Sequence, residues 1–156
     1  MTNPESTAGR ESEPTGGWFD GRIHVFPVRV YYEDTDFSGL VYHANYLRFM
    51  ERGRSEFLRI SGAGHRTILS AEKPLVWAVR RMAIDFVRPA RMEDALAVRT
   101  RVVELAGARM RLDQRVVKET TLLLQADVEV CIITLDGRPR RVPDPLRKKL
   151  EFFLET

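Results

Sequence analysis

Only one stretch of this chain carries a long helical pattern, and nearly everything after it alternates with a period of two. Across residues 43–60, Tyr46, Phe49, Met50, Gly53, Phe57 and Ile60 recur at spacings near three and four, which puts them on one stripe of an α-helix. Ser61-Gly62-Ala63-Gly64 then supplies a glycine cap. Beyond a loop through Pro74, strand-like runs occupy residues 76–86, 96–102, 110–117 and 124–132. In the first, Val76, Ala78, Arg80, Met82, Ile84 and Phe86 are expected to share a face. In the last, Leu124, Ala126, Val128, Val130 and Ile132 oppose Gln125, Asp127, Glu129 and Cys131. Ile23, Val25, Val28 and Val30 form a further strand before the helix, where Pro27 marks an edge or a bulge. Strands with no helices between them cannot make parallel crossovers. The chain therefore reads as α+β, an antiparallel sheet curled around one long central helix. Such a sheet leaves an edge uncovered, so a second copy of the chain is expected against it.

A chain of 156 residues holds one domain with a real core, placed here at residues 22–156. Residues 1–21 are rich in Thr, Ser, Gly, Glu and Pro and read as a disordered tail, with Trp18 and Phe19 pinning its end to the body. A short helix is expected at 144–154, with Asp144 as N-cap and Pro145 in the first helical position. Arg52 and Glu56, four apart, are expected to pair, and Gly53 to mark the close approach of another backbone. No apolar run reaches the length of a membrane span, and the first residues lack a signal-peptide pattern. A single cysteine, Cys131, excludes an internal disulfide and fits a reducing compartment, so a cytoplasmic location is expected. The net charge of +3 and pI near 9.3 come mainly from arginine, which suits nucleic acid or a small polyphosphorylated ligand. The interleaved aromatic and basic residues of a nucleic-acid groove are not evident outside the helix, so nucleic acid is not an expected partner.

Strand and helix are joined by Tyr31-Tyr32-Glu33-Asp34-Thr35-Asp36-Phe37-Ser38-Gly39-Leu40-Val41-Tyr42-His43-Ala44-Asn45-Tyr46. A strand-to-helix junction leaves backbone N–H groups free to meet developing negative charge. Carboxylates and an imidazole fall in the same few residues. On residue chemistry alone this is either a catalytic corner or a loop of Asx turns with a histidine of no function. Ser38 lacks the Gly-x-Ser-x-Gly context of a serine hydrolase. Cys131 has no identified base, and His24 and His65 form no metal-ligand spacing. Neither a metal nor a cofactor is expected.

The run Val28-Arg29-Val30 into that junction, followed by Phe49-Met50-Glu51-Arg52-Gly53-Arg54-Ser55-Glu56-Phe57-Leu58, resembles hotdog-fold thioesterases of the 4-hydroxybenzoyl-CoA thioesterase class. The closest likeness is to their Tol–Pal-associated, YbgC-type branch, and it covers about residues 23–150. The resemblance implies a hotdog fold and hydrolysis of acyl-CoA to free acid and CoA. It implies that Asp36 is the catalytic aspartate, as nucleophile or general base. It also implies that the His43 N–H, at the helix start, polarises the thioester carbonyl while its imidazole serves the chemistry. Tyr32 and Gly39 are the implied substrate contacts, Val41, Tyr42 and the strand-end Arg109 are expected to join them, and Asp34 is left as scaffolding of the turn. Other hotdog thioesterases carry their carboxylate on the helix; Glu51 stands there but is read as the partner of a helix arginine. Phosphates of CoA suit Arg88, Arg91, Arg109, Arg138, Arg140 and Arg141, although the turn Glu104-Leu105-Ala106-Gly107-Ala108 lacks the basic character of the aromatic thioesterase. An acyl-carrier-protein donor stays open, as does homodimer against homotetramer. The rival readings are a dehydratase acting on carrier-bound chains, which the Asp36 position does not suit, and a non-catalytic binding module.

Overall fold

The computed structural model describes residues 16–154. Its strands are β1 (Trp18–Asp20), β2 (Ile23–Arg29), β3 (Leu75–Phe86), β4 (Ala95–Ala106), β5 (Arg109–Lys118) and β6 (Thr121–Thr134); its helices are α1 (Asn45–Ile60), α2 (His65–Leu69) and α3 (Asp144–Glu151). All strands pair antiparallel in one sheet of order β1-β2-β4-β5-β6-β3, the curled hotdog sheet with α1 against its concave face. The α+β expectation holds.

The apolar stripe of α1 carries the core. Phe49, Met50 and Phe57 are completely buried, each worth roughly 1.5–3 kcal/mol of transfer free energy. They meet Leu96, Val98, Met110, Leu112, Val116, Val128 and Ile132 from the sheet. Gly53 does mark a close approach, but to a side chain: a Cβ there would stand 2.7 Å from Val98 Cγ1. Ile60, expected in the stripe, is exposed because the helix ends there. Gly62 takes a left-handed φ of 85°, and Ala63 N–H donates to Leu58 O at 2.8 Å while Gly62 N–H donates to Arg59 O. That is a Schellman ending.

Several local expectations are corrected. The tail expected at residues 1–21 falls largely outside the described residues, but within them 18–20 form β1, so strand structure begins before residue 22. Phe19 explains why: it stacks on Phe153 with ring centroids 4.9 Å apart and meets His24 edge-on at 5.2 Å. The loop through Pro74 contains the short helix α2. Helix α3 is capped by Pro143 rather than Asp144, because the Pro143 carbonyl already accepts the Arg147 N–H at 2.8 Å. Glu56 pairs with Arg59 instead of Arg52, its carboxylate receiving Arg59 Nε at 2.9 Å. In β3 a bulge between Val79 and Arg81 reverses the alternation. Trp77 is therefore buried before the bulge, and Met82 and Ile84 pack on the core after it. Pro27 behaves as expected: β1 covers only Ile23, His24 and Val25 of β2, leaving Pro27 paired on one side.

Candidate active site

The junction between β2 and α1 is built as a tight hairpin. Asp36 N–H donates to Leu40 O at 2.8 Å, Gly39 N–H returns to Asp36 O at 3.0 Å, and Thr35 bridges to Val41. Gly39 sits at φ 79° with open space around it, the conformation that lets the chain reverse here. Ser38 donates to Asp36 Oδ1 from both its hydroxyl, at 2.5 Å, and its N–H, at 2.9 Å. These bonds, the hydroxyl first, hold the Asp36 carboxyl below the usual aspartate range. Asp36 is exposed in the protomer and is kept as a charged acceptor.

Helix α1 begins later than expected, at Asn45 with Ala44 as N-cap. His43 therefore precedes the helix. The reason lies in the backbone: Asn45 N–H closes a turn onto Tyr42 O at 2.8 Å, and Tyr42 N–H donates to Asp34 O at 2.9 Å. Among the described residues, the N–H groups of His43 and Ala44 have no hydrogen-bond partner. Two adjacent free donors at a helix start suit a developing oxyanion.

Asp36 and His43 line one cleft of about 320 Å³, together with Val41, Tyr46, the last β3 residue Phe86 and, from the strap at residues 87–90, Arg88. The strap is tied at Ala90: its N–H donates to Tyr46 Oη at 3.0 Å, and its carbonyl accepts Val41 N–H at 2.9 Å. Burial raises the Tyr46 phenol above its ordinary range, so it stays protonated. The His43 ring lies 4.5 Å from Tyr42 and 6.4 Å from Phe86, centroid to centroid. Of the expected contacts, Val41 is in the cleft wall, Gly39 turns the loop, and Tyr42 backs His43. Tyr32 is 81% exposed and does not line the cleft.

Arg109 is not brought there. It shares the register of Cys131 and, through it, Ala78, at the far end of the sheet from Phe86, roughly 25 Å away at about 3.3 Å per residue. Its β5 neighbours Met110, Leu112 and Gln114 are buried toward α1, so Arg109 points to the outer face, where it pairs with Glu129 at 3.5 Å. Of the arginines considered for phosphate, Arg88 is the one in the cleft wall. Sequence reasoning did not find Asn45, Tyr46 or the strap as parts of the site. Their only signal was a Tyr-His-Ala-Asn-Tyr run at the helix start and a proline, Pro89, shortly after β3.

A second cavity of about 400 Å³ lies further along α1 and β3. Leu47, Glu51, Arg54, Trp77, Val79 and Met82 are among its walls. Glu51 makes no ion pair with a helix arginine among the described residues; its charge favours the Arg54 cation at longer range. No three-residue His, Cys, Asp or Glu cluster fit for a metal occurs among the described residues, and no described helix is long and apolar enough to cross a membrane.

Comparison with known proteins agrees with this architecture. Residues 30–150 match the family model described as the thioesterase-like superfamily. The acyl-CoA thioesterase YbgC of Haemophilus influenzae is 43% identical over 127 residues, covering 81% of this chain and 92% of the relative. The acyl-CoA thioester hydrolase YbgC of Escherichia coli O157:H7 is 42% identical over 120 residues, 76% of this chain and 88% of that protein. A probable thioesterase from Bartonella henselae superposes with a TM-score of 0.75 at 46% identity, covering 78% of this chain and 99% of its own. With its sheet wrapped on α1 and its Asp36–His43 cleft at the helix start, the chain belongs to the thioesterase-like superfamily and, within it, to the YbgC-type branch.

Proposed function

We propose that this protein hydrolyses acyl-CoA thioesters, with Asp36 and His43 as its catalytic residues. The observation that carries the reading is their shared cleft beside the two unpartnered N–H groups of His43 and Ala44. The Asp36 carboxylate attacks the thioester carbonyl, and the oxyanion forms against those donors. The C–S bond then breaks, and the CoA thiolate leaves and takes a proton. Water cleaves the resulting mixed anhydride, with the His43 imidazole accepting its proton, which frees the acid and regenerates Asp36. The Ser38 bonds that keep Asp36 charged support attack by the carboxylate over a general-base role, which favours a raised pKa. Names of the relatives, both of them acyl-CoA thioesterases, support the substrate class.

The acyl group runs from the cleft along α1 toward the second cavity, whose Leu47, Trp77, Val79 and Met82 offer apolar wall. That cavity borders β3, a 12-residue strand at the open edge of the sheet with Val79 and Phe86 exposed. A long apolar edge invites pairing with a second copy, and a homodimer through β3 is the proposed assembly. Two-fold antiparallel pairing of β3 sets the Ala78 end of one protomer beside the Phe86 end of its partner. Arg109 stays on the outer face, two strands in from that edge, so the cation proposed for CoA phosphate is Arg88 in the cleft wall. The half-buried free thiol of Cys131 suits the reducing cytoplasm proposed as its location.

The test is thiol release from short, long and aromatic acyl-CoAs and from acyl-carrier-protein thioesters. Wild type is expected to turn over at least one CoA ester, with Asp36→Asn losing 10³-fold or more and His43→Ala at least tenfold, orders of magnitude typical for such groups. No turnover of any substrate sinks the reading in favour of a binding module. Turnover of carrier-protein esters alone moves the donor, and undiminished rates in Asp36→Asn reject the nucleophile.

A further inference from the structure

Asp34 is a buried carboxylate, 5% exposed, with no ion pair among the described residues. Its side chain is held instead by two neutral donors. Oδ2 accepts the Tyr31 N–H at 2.8 Å, and Oδ1 accepts Asn45 Nδ2 at 2.5 Å in a fully buried contact. The backbone carbonyl of the same residue accepts the Tyr42 N–H at 2.9 Å. Three bonds from one residue thus reach the end of the strand side at Tyr31, the end of the hairpin at Tyr42 and the first residue of α1 at Asn45. These points bracket residues 36–43, the segment that carries Asp36 and His43.

Burying a carboxylate against uncharged donors is expensive unless the bonds hold something in place. Scaffolding of the turn would need only the Tyr31 contact, which closes the short 3₁₀ turn at Tyr32–Asp34. The Asn45 contact does something different. It ties the side chain of the first helical residue to a carboxylate on the strand side of the junction, at an end whose N-cap, Ala44, makes no side-chain hydrogen bond. Tethered to Asp34, Asn45 fixes where the helix starts relative to the hairpin. Tyr42 N–H, bonded to Asp34 O, is turned inward while the next two N–H groups stay free.

We propose that Asp34 and Asn45 are positioning residues whose buried side-chain pair fixes residues 36–43 on α1, keeping the His43 and Ala44 N–H groups free beside Asp36. This rests on the thioesterase reading for its catalytic consequence but not for its structural one. Asn45→Ala and Asp34→Asn remove the donor or weaken the acceptor, and Asn45→Ser is a milder variant for a chain that folds poorly with the others. Three measurements are made on each: kcat and KM on an acyl-CoA that wild type hydrolyses, thermal midpoint, and amide hydrogen exchange of residues 35–45. A displacement near 1 Å costs about 10²-fold in such chemistry. Asn45→Ala is expected to lower kcat about ten- to a hundredfold with KM within about twofold, and to speed exchange of residues 35–45 at least tenfold over the rest of α1. Asn45→Ser is expected to recover part of both losses. A lower midpoint with kcat and local exchange unchanged means a merely structural pair and overturns the proposal. So does a rise in KM at constant kcat. If wild type hydrolyses nothing, the thioesterase reading fails, and the exchange of residues 35–45 alone decides whether the pair holds the segment.

Discussion

Replacing Gln114 by leucine tests what fastens α1 to the sheet. Gln114 is completely buried in mid-β5. Its Nε2 donates to Thr100 Oγ1 at 2.9 Å and to the α1 carbonyl of Met50 at 3.1 Å, while its Oε1 accepts Arg54 Nη1 at 2.9 Å. Arg54 is 7% exposed, and burial lowers its pKa, so the guanidinium depends on that acceptor. Gln114→Leu keeps the volume but leaves Arg54 short of one charge-assisted bond, worth about 1.5–3 kcal/mol, and Thr100 short of a neutral one, worth about 1 kcal/mol. Met50 O is already in the helix ladder and loses little. The leucine methyls recover roughly 1 kcal/mol. A net loss of about 1.5–3 kcal/mol follows, a fall in Tm of roughly 3–12 °C for a chain of this size. The assay is denaturant unfolding with a double-mutant cycle, because Arg54→Met removes the charge that the first substitution strands. In the Arg54→Met background, Gln114→Leu is expected to cost at least 1.5 kcal/mol less than in wild type, since removing both partners of a buried polar pair is far milder than removing one. Additivity within about 0.5 kcal/mol refutes the reasoning, as it means Arg54 does not rely on Gln114.

Other perturbations reach the site itself. Ser38→Ala removes the larger of the bonds that depress the Asp36 pKa, so the acid limb of the kcat/KM profile is expected to move to higher pH; an unmoved limb dissociates that limb from Asp36. Tyr46→Phe leaves the Ala90 N–H buried without its acceptor and is expected to destabilise by about 1–3 kcal/mol and to lower turnover, read by calorimetry and thiol release. His24 is completely buried, its Nε2 donates to Gly16 O at 2.7 Å, and desolvation lowers its pKa despite that bond. The unfolded chain thus takes up the proton first, so stability is full above the unfolded histidine value near 6.5 and falls as pH drops toward the folded value. Unfolding measured from pH 8 to 5 should show this decline, and His24→Gln should flatten it. If the proposed β3 dimer forms, Val79→Pro on the open edge of β3 is expected to shift it toward monomer in sedimentation velocity, with activity lost in parallel; an unchanged dimer refutes pairing through β3.

Much of the fold was legible because the patterns were local. The stripe Tyr46, Phe49, Met50, Gly53, Phe57 and the alternation of β6 are set by backbone geometry alone, and the sheet around α1 follows from having no other long helix. What escaped the sequence were features set by contacts across the chain. The β3 bulge, which turns Trp77 and Met82 to the same side, answers to the register of β6 and leaves no mark in β3 itself. The start of α1 moved from His43 to Asn45 because Tyr42 and Asn45 are bonded to Asp34, eight and eleven residues earlier. The corner was legible as a motif, and Asp36 and His43 do share a cleft. Arg109 was chosen as a strand-end arginine suited to phosphate, and only the strand register reveals that it stands at the other end of its own protomer's sheet.

On the proposed mechanism, the choice between the two roles of Asp36 turns on opposing effects. Covering the cleft with a partner copy and an acyl group removes water and pushes a carboxylate pKa up, toward general-base behaviour. The donors that push it down are not lent by the assembly. Ser38 lies two residues from Asp36 and bonds it within the same tight turn, and the hairpin from Asp36 to Leu40 closes on itself. Those bonds form within the loop itself and need no partner copy. On that proposal Asp36 enters the reaction ionised and already hydrogen-bonded, as nucleophile, and the proton of the hydrolytic water goes to the other proposed catalytic group in the cleft, the His43 imidazole. The proposed division of labour within the corner thus rests on a serine that the motif carries between its aspartate and its glycine.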